Sequence, residues 1–140
     1  MKITKAAVDL SIIVRDIDKA LKFYRDVLGF PVNRVDTVPQ DLGKRLLFST
    51  TGCRIHRLYA GDTEIKLIEF DNPPESDLCP IESRSGIRYF TLSIADFLET
   101  YIDLQFRGVK FLSEPVQAKD GRFLIFLQDP DGNYIELEGR

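Results

Sequence analysis

Along residues 7–14 apolar and polar side chains alternate, with Val8, Leu10, Ile12 and Val14 on one face and Asp9, Ser11 and Ile13 on the other. A period of two predicts a half-buried strand. Asp16 stands where a helix N-cap belongs, and Ile17, Ala20, Leu21, Tyr24 and Leu28 then recur at helical spacing until Gly29 stops the helix. Residues 30–35 predict a second strand, 36–43 carry turn and breaker residues, and 45–51 predict another strand. Residues 54–59 and 64–70 predict a hairpin around Ala60-Gly61-Asp62-Thr63. The first half reads as a β-α-β-β-β unit.

The second half repeats it. Arg88-Tyr89-Phe90-Thr91-Leu92-Ser93-Ile94-Ala95-Asp96 predicts a strand leading to a capped helix that bears Phe97, Leu98, Tyr101, Ile102 and Leu104 and ends at Gly108. Residues 109–112, 122–128 and 133–138 predict three more strands, the last two joined by Asp129-Pro130-Asp131-Gly132. A repeat of this period indicates duplicated supersecondary units. The intervening residues 71–86, with Pro73, Pro74 and Pro80, have the composition of a connector. The expected architecture is α+β: one domain, 1–140, built of two repeats, 1–70 and 87–140, whose β-α-β-β-β modules form a curved mixed sheet around a cavity.

Composition narrows the function. The 140 residues are 44% hydrophobic with a net charge of −3 and no long like-charge block, so neither nucleic acid nor a membrane surface is an expected partner. Residues 1–6 lack the apolar core of a signal peptide, and no stretch approaches the roughly 20 apolar residues of a membrane span. A cytoplasmic protein with a small-molecule ligand is expected. Cys53 and Cys79 match no zinc spacing and read as reduced thiols. His56 is the single histidine, which excludes a His-rich metal site, and strand alternation puts it on the face opposite Arg57.

Two segments carry a resemblance to a known family. The run Asp16-Ile17-Asp18-Lys19-Ala20-Leu21-Lys22-Phe23-Tyr24-Arg25-Asp26-Val27-Leu28-Gly29-Phe30 resembles a helix signature of the vicinal oxygen chelate superfamily, and Asp129-Pro130-Asp131-Gly132-Asn133-Tyr134-Ile135-Glu136-Leu137 is similar to its closing motif. That superfamily includes glyoxalase I, extradiol dioxygenases, methylmalonyl-CoA epimerase and bleomycin resistance proteins. The resemblance implies paired modules, a homodimer that completes the cavity, and, in metal-using members, four inward ligands from the first and last strands of each unit. Here the corresponding residues are Asp9, Lys66, Tyr89 and Glu136, of which only Glu136 is a usual ligand.

A lysine at such a position changes the chemistry. An ammonium about 5 Å from a divalent ion, at an effective dielectric of about 20, costs roughly 6 to 7 kcal/mol of repulsion. No cofactor is therefore expected. Lys66 is expected to supply the positive charge itself, between Asp9 and Glu136, with Tyr89 donating a hydrogen bond to one of them. These four are the candidate catalytic residues, with Arg57, Tyr59, Ser11 and Thr91 as candidate substrate contacts. Across the hairpin Arg57 should face Lys66 and Tyr59 should face Glu64, giving the pocket positive walls suited to an oxyanion.

Three functions fit this chemistry. The first is a metal-independent isomerase, epimerase or lyase acting beside a carbonyl. The second is a drug-sequestering binding protein with aromatic walls. The third, weakened by Lys66, is a metal-dependent lyase or dioxygenase using Asp9 and Glu136 with Glu64 or water.

Overall fold

A computed structural model describes residues 1–75 and 78–140. The chain divides into two compact units, Met1–Ser76 and Asp77–Arg140. Ser76 and Asp77, within the expected connector, lie outside the described residues.

In the first unit β1 (Leu10–Ile13) leads to α1 (Ile17–Leu21), followed by β2 (Val32–Val38), α2 (Gln40–Arg45), β3 (Cys53–Ala60) and β4 (Thr63–Phe70). The sheet order is β1-β4-β3-β2, with β1 parallel to β4 and the other pairs antiparallel. Asp16 caps α1 by accepting the Lys19 N–H at 3.1 Å. The helix runs on into a wider π-type segment, Lys22–Val27, where the Leu28 N–H donates to the Phe23 carbonyl at 2.9 Å. Gly29 then adopts φ 77°, the left-handed conformation that glycine enters without strain.

Ile17, Ala20 and Tyr24 are buried, as are Ile12, Leu58, Ile65 and Leu67 of the sheet. Burying each of the larger aliphatic side chains contributes about 1.5–3 kcal/mol. The strand expected at residues 45–51 is absent, because α2 occupies 40–45 and turns follow it. Leu47 takes φ 52° there, and Phe48 folds against Phe70 with ring centroids 5.4 Å apart. Alternating apolar residues in this stretch mark one side-chain contact rather than a pleated strand. Val8 is also exposed, since β1 starts only at Leu10.

The second unit repeats the plan with β5 (Tyr89–Ile94), α3 (Phe97–Phe106), β6 (Val116–Gln117), β7 (Phe123–Gln128) and β8 (Tyr134–Gly139), in sheet order β5-β8-β7-β6. Phe97, Tyr101 and Leu104 bury the inner face of α3 against a sheet whose Ile125, Leu127, Ile135 and Leu137 are also buried. Leu98 and Ile102, read from the sequence as part of the helix stripe, are exposed. Asp96 precedes α3 without a side-chain capping bond. Residues 109–112 hold a single bridge, Phe111 to Leu127, and the ladder at that edge is formed by β6 instead.

The 129–133 turn is closed by the Asp129 carboxylate, which accepts the Asp131 and Asn133 N–H groups at 3.0 and 2.8 Å. The later part of the expected connector belongs to this unit. Tyr134 donates its hydroxyl to the Cys79 carbonyl at 3.3 Å, and the Arg88 guanidinium donates to the Ile81 carbonyl at 3.1 Å. Cys53 is buried, and no disulfide joins it to Cys79. Among the described residues no helix is long and apolar enough to cross a membrane.

Candidate functional site

Register decides which side chains meet on the first sheet. Ser11 lies opposite Lys66, Lys66 opposite Arg57, and Arg57 opposite Arg34, so four neighbouring strands send one row of polar side chains to the face away from α1. Tyr59 lies opposite Glu64 on the same face, as the hairpin count predicts.

The charges in and beside this row alternate. Lys5 pairs with Asp9 through Oδ1, while Lys66 Nζ lies 3.1 Å from Asp9 Oδ2 and 3.8 Å from Glu64 Oε1. Arg57 reaches Glu64 with Nη1 and Asp36 with Nε, and Arg34 Nε lies 3.2 Å from Asp36 Oδ1. Glu64 is buried and its carboxylate serves two cations. Such burial is tolerated only where the charge is compensated.

These contacts shift the titrations. The hydrogen bond from Lys5, and after it that from Lys66, holds the Asp9 carboxyl below its ordinary value. Arg57 does the same for Asp36, and Asp36 and Glu64 raise Arg57 in return. Arg57 is thus bound to two carboxylates, and the positive wall expected from it is neutralised within its own sheet. Lys66 is the half-buried cation on this face with donor capacity remaining, 23% exposed with one contact at hydrogen-bond distance for three ammonium donors; Lys5 and Arg34 also keep unused donors but are 50% and 60% exposed. Ser11 flanks it in register, and the Tyr59 hydroxyl accepts from Asn33 Nδ2 at 3.3 Å, leaving its own proton to donate.

In the second unit Thr91 lies opposite Glu136, and its hydroxyl donates to Oε2 at 2.7 Å. Ser93 donates likewise to Glu138 at 2.8 Å, and Glu138 also pairs with Arg122. The hydroxyl that serves Glu136 is therefore that of Thr91. Tyr89 sets its ring edge-on against Phe126, with centroids 5.1 Å apart and planes at 87°. Because β8 separates β5 from β7, this aromatic contact crosses β8, and Phe126 is the register partner of Glu136.

His56 lies on the helix-facing side of the first sheet, in register with Leu67. Its Nε2 is buried without a hydrogen-bond partner among the described residues. Burial pushes its imidazole below 6.5; Glu69 and Asp18 pull it up and Arg54 pushes it down.

Sequence reasoning did not identify the charge partners Lys5, Asp36 and Glu64 as a set. The Glu64-x-Lys66 alternation within a buried strand was the available signal for Glu64. Asp36 was hidden by reading 36–43 as a turn.

The duplicated order of strands is shared with known proteins. The Glyoxalase/Bleomycin resistance protein/Dioxygenase superfamily model matches residues 6–137. The chain belongs to this superfamily. It is 30% identical over 125 residues to a probable lactoylglutathione lyase of Synechocystis, covering 89% of this chain and 87% of that protein. It is 25% identical over 134 residues to mouse mitochondrial methylmalonyl-CoA epimerase, covering 92% of this chain and 70% of the relative.

Among solved structures, a glyoxalase family protein from Bacillus cereus superposes with a TM-score of 0.81 at 20% identity, covering 99% of this chain and 95% of that one. The glyoxalase I of Leishmania major gives 0.68 at 25% identity, covering 97% and 87%.

The superfamily's metal-using members raise the question of an ion here. In the first unit the two residues at the ligand positions, Asp9 and Lys66, are bonded to each other. An ammonium offers no lone pair, and its charge opposes a cation. Within each unit no three His, Cys, Asp or Glu side chains gather into a metal-holding group among the described residues. Within the first unit a lysine paired to Asp9 is no lone-pair donor for a divalent ion.

Proposed function

We propose that this superfamily member is a metal-independent enzyme of the isomerase or lyase type, acting at the carbon beside a carbonyl of a small oxyanion-bearing metabolite. Lys66 would supply the positive charge that stabilises the developing enolate oxygen. The single observation carrying this reading is the Lys66 ammonium, 23% exposed on a sheet face and held from one side by Asp9 at 3.1 Å. A preorganised cation aimed at developing oxyanion charge accelerates such steps by two to three orders of magnitude in typical cases.

Asp9 is a counterion rather than a proton acceptor, because two lysines hold it as the carboxylate. Within the second unit the Glu136 carboxylate accepts from the neutral Thr91 hydroxyl rather than from a cation. Ser11 and Tyr59, on the same sheet face as Lys66, supply neutral substrate contacts. The relatives' names support the reaction class, because S-lactoylglutathione and methylmalonyl-CoA are both thioesters bearing a hydrogen on the carbon next to the carbonyl. The proposal includes a homodimer, since each four-stranded sheet ends in edge strands that a second copy would cover.

The test follows α-hydrogen exchange of S-lactoylglutathione and methylmalonyl-CoA in D2O by NMR, with the wild-type chain and with Lys66→Met. Exchange by the wild type that falls about 100-fold in the variant supports the proposal. Exchange unchanged in Lys66→Met overturns it.

A second reading rests on the exposed aromatic rings. Tyr89, 45% exposed and braced by Phe126, suits stacking with a flat ligand in a sequestering protein. Tight binding of an aromatic compound without turnover or α-exchange would favour it.

A further inference from the structure

Seven charged groups on and beside one face of the first sheet run in strict alternation: Lys5, Asp9, Lys66, Glu64, Arg57, Asp36, Arg34. Every carboxylate lies between two cations, and a cation stands at each end. The row carries one more positive than negative charge, so it is one anion short of neutrality. Lys5 and Arg34, at the ends of the row, also have one carboxylate each, but at 50% and 60% exposure water solvates them. Lys66 is 23% exposed and has a good contact with Asp9 alone, its distance to Glu64 being 3.8 Å, so the shortfall falls on Lys66.

Asp9 is bound through different oxygens, Oδ1 to Lys5 and Oδ2 to Lys66. A carboxylate that leaves one lysine therefore stays paired with the other. Without Lys5, displacing Asp9 from Lys66 would leave an unpaired carboxylate beside an incoming anion, and like charges at such range oppose binding.

We propose that Asp9 is an exchangeable counterion: a singly charged ligand carboxylate takes its place on Lys66, and Lys5 retains Asp9 during the swap. This rests on the reading of Lys66 as the oxyanion-binding group and assigns the ligand class, a monocarboxylate, and a positioning role to Lys5. A monoanion brings the row to neutrality. A dianion leaves it negative beside the buried Glu64, so phosphate binds less well than a carboxylate at the pH where phosphate carries two charges.

The sign of two substitutions separates this exchange from simple charge attraction. Asp9→Asn frees Lys66 and tightens carboxylate binding. Lys5→Gln leaves Asp9 with Lys66 as its one remaining lysine and weakens binding, by about three-fold if the exposed pair behaves as such pairs do. In the Asp9→Asn background there is no carboxylate for Lys5 to retain, and Lys5→Gln changes little.

The experiment titrates acetate, and separately inorganic phosphate at pH 8, into the 15N-labelled full chain at constant ionic strength. The shifts of the Ser11 and Lys66 amides are followed in the wild type, Lys5→Gln, Asp9→Asn, the double variant and Lys66→Met. The proposal expects acetate to bind more tightly than phosphate and Lys5→Gln to weaken acetate only when Asp9 is present. An equal effect of Lys5→Gln in both backgrounds, weaker acetate binding in Asp9→Asn, or a preference for phosphate overturns the exchange while leaving Lys66 as the anion site. Acetate shifts that persist unchanged in Lys66→Met overturn the Lys66 reading itself.

Discussion

Replacing Arg57 by Met keeps most of the stem and removes the guanidinium that joins β2, β3 and β4 through Asp36 and Glu64. The side chains of Arg57 and Glu64 are 18% and 9% exposed, so the bond is made largely out of water. Breaking a fully buried pair by deleting one member costs about 3–5 kcal/mol. Here Lys66 remains 3.8 Å from Glu64, and Arg34 remains 3.2 Å from Asp36, and both soften the loss. The expected destabilisation is about 2–3 kcal/mol.

With a urea m-value of about 2 kcal/mol/M, the unfolding midpoint falls by roughly 1 to 1.5 M. Urea titration followed by circular dichroism measures it. The companion variant Arg57→Met/Glu64→Leu removes the stranded carboxylate together with its partner and should regain at least half of the lost midpoint, because the penalty lies in the uncompensated charge and not in the missing contact. A midpoint within about 0.3 M of wild type for Arg57→Met, or a double variant less stable than the single one, refutes this account of the row.

The remaining predictions concern His56 and the candidate chemistry. As the chain's one histidine, His56 gives a single imidazole signal in NMR, and its midpoint should lie below 6.5 because burial disfavours the charged ring. The unfolded chain then binds the extra proton first. Stability from this group is fully present above about pH 6.5 and is lost as pH falls through the lower folded value; a midpoint at or above 6.5 contradicts the burial argument. Lys66→Met should slow α-hydrogen exchange about 100-fold, and Lys5→Gln should weaken acetate binding only while Asp9 is present, each read by the NMR experiments described with those proposals.

Much of the architecture was legible because it was written twice. Period-two alternation at 7–14 and 87–94, Asp16 with its helix stripe, and the glycines at 29, 61, 108 and 132 each act through local physics, and those elements appear, with β1 shortened to Leu10–Ile13, β5 to Tyr89–Ile94 and the first helix widening to a π-type turn from Lys22. The hairpin count also placed Arg57 against Lys66 and Tyr59 against Glu64 correctly. Residues 45–51 and 109–112 were misread because apolar side chains there make tertiary contacts, Phe48 on Phe70 and Phe111 on Tyr101, in non-strand backbone. Leu98 and Ile102 show the same limit from the other side, since apolar character at roughly helical spacing does not say which face of α3 meets the sheet.

For the candidate site, alternation identified which residues share a face but not how charges pair along it. Arg57 was read as an open positive wall because its neutralising partners come from different strands, Asp36 on β2 and Glu64 on β4. Pairing of that kind depends on register between distant segments. Lys5 was invisible for a simpler reason: it precedes β1 and belongs to no periodic element.

The central claim is that a lysine ammonium provides the positive charge that metal-using relatives obtain from an ion. Calorimetric titration of the chelator-treated chain with Mn2+, Ni2+ and Zn2+ tests it most directly. The account predicts no stoichiometric binding of any of the three. One equivalent bound with micromolar affinity, and lost on Asp9→Asn or Glu136→Gln, would contradict it.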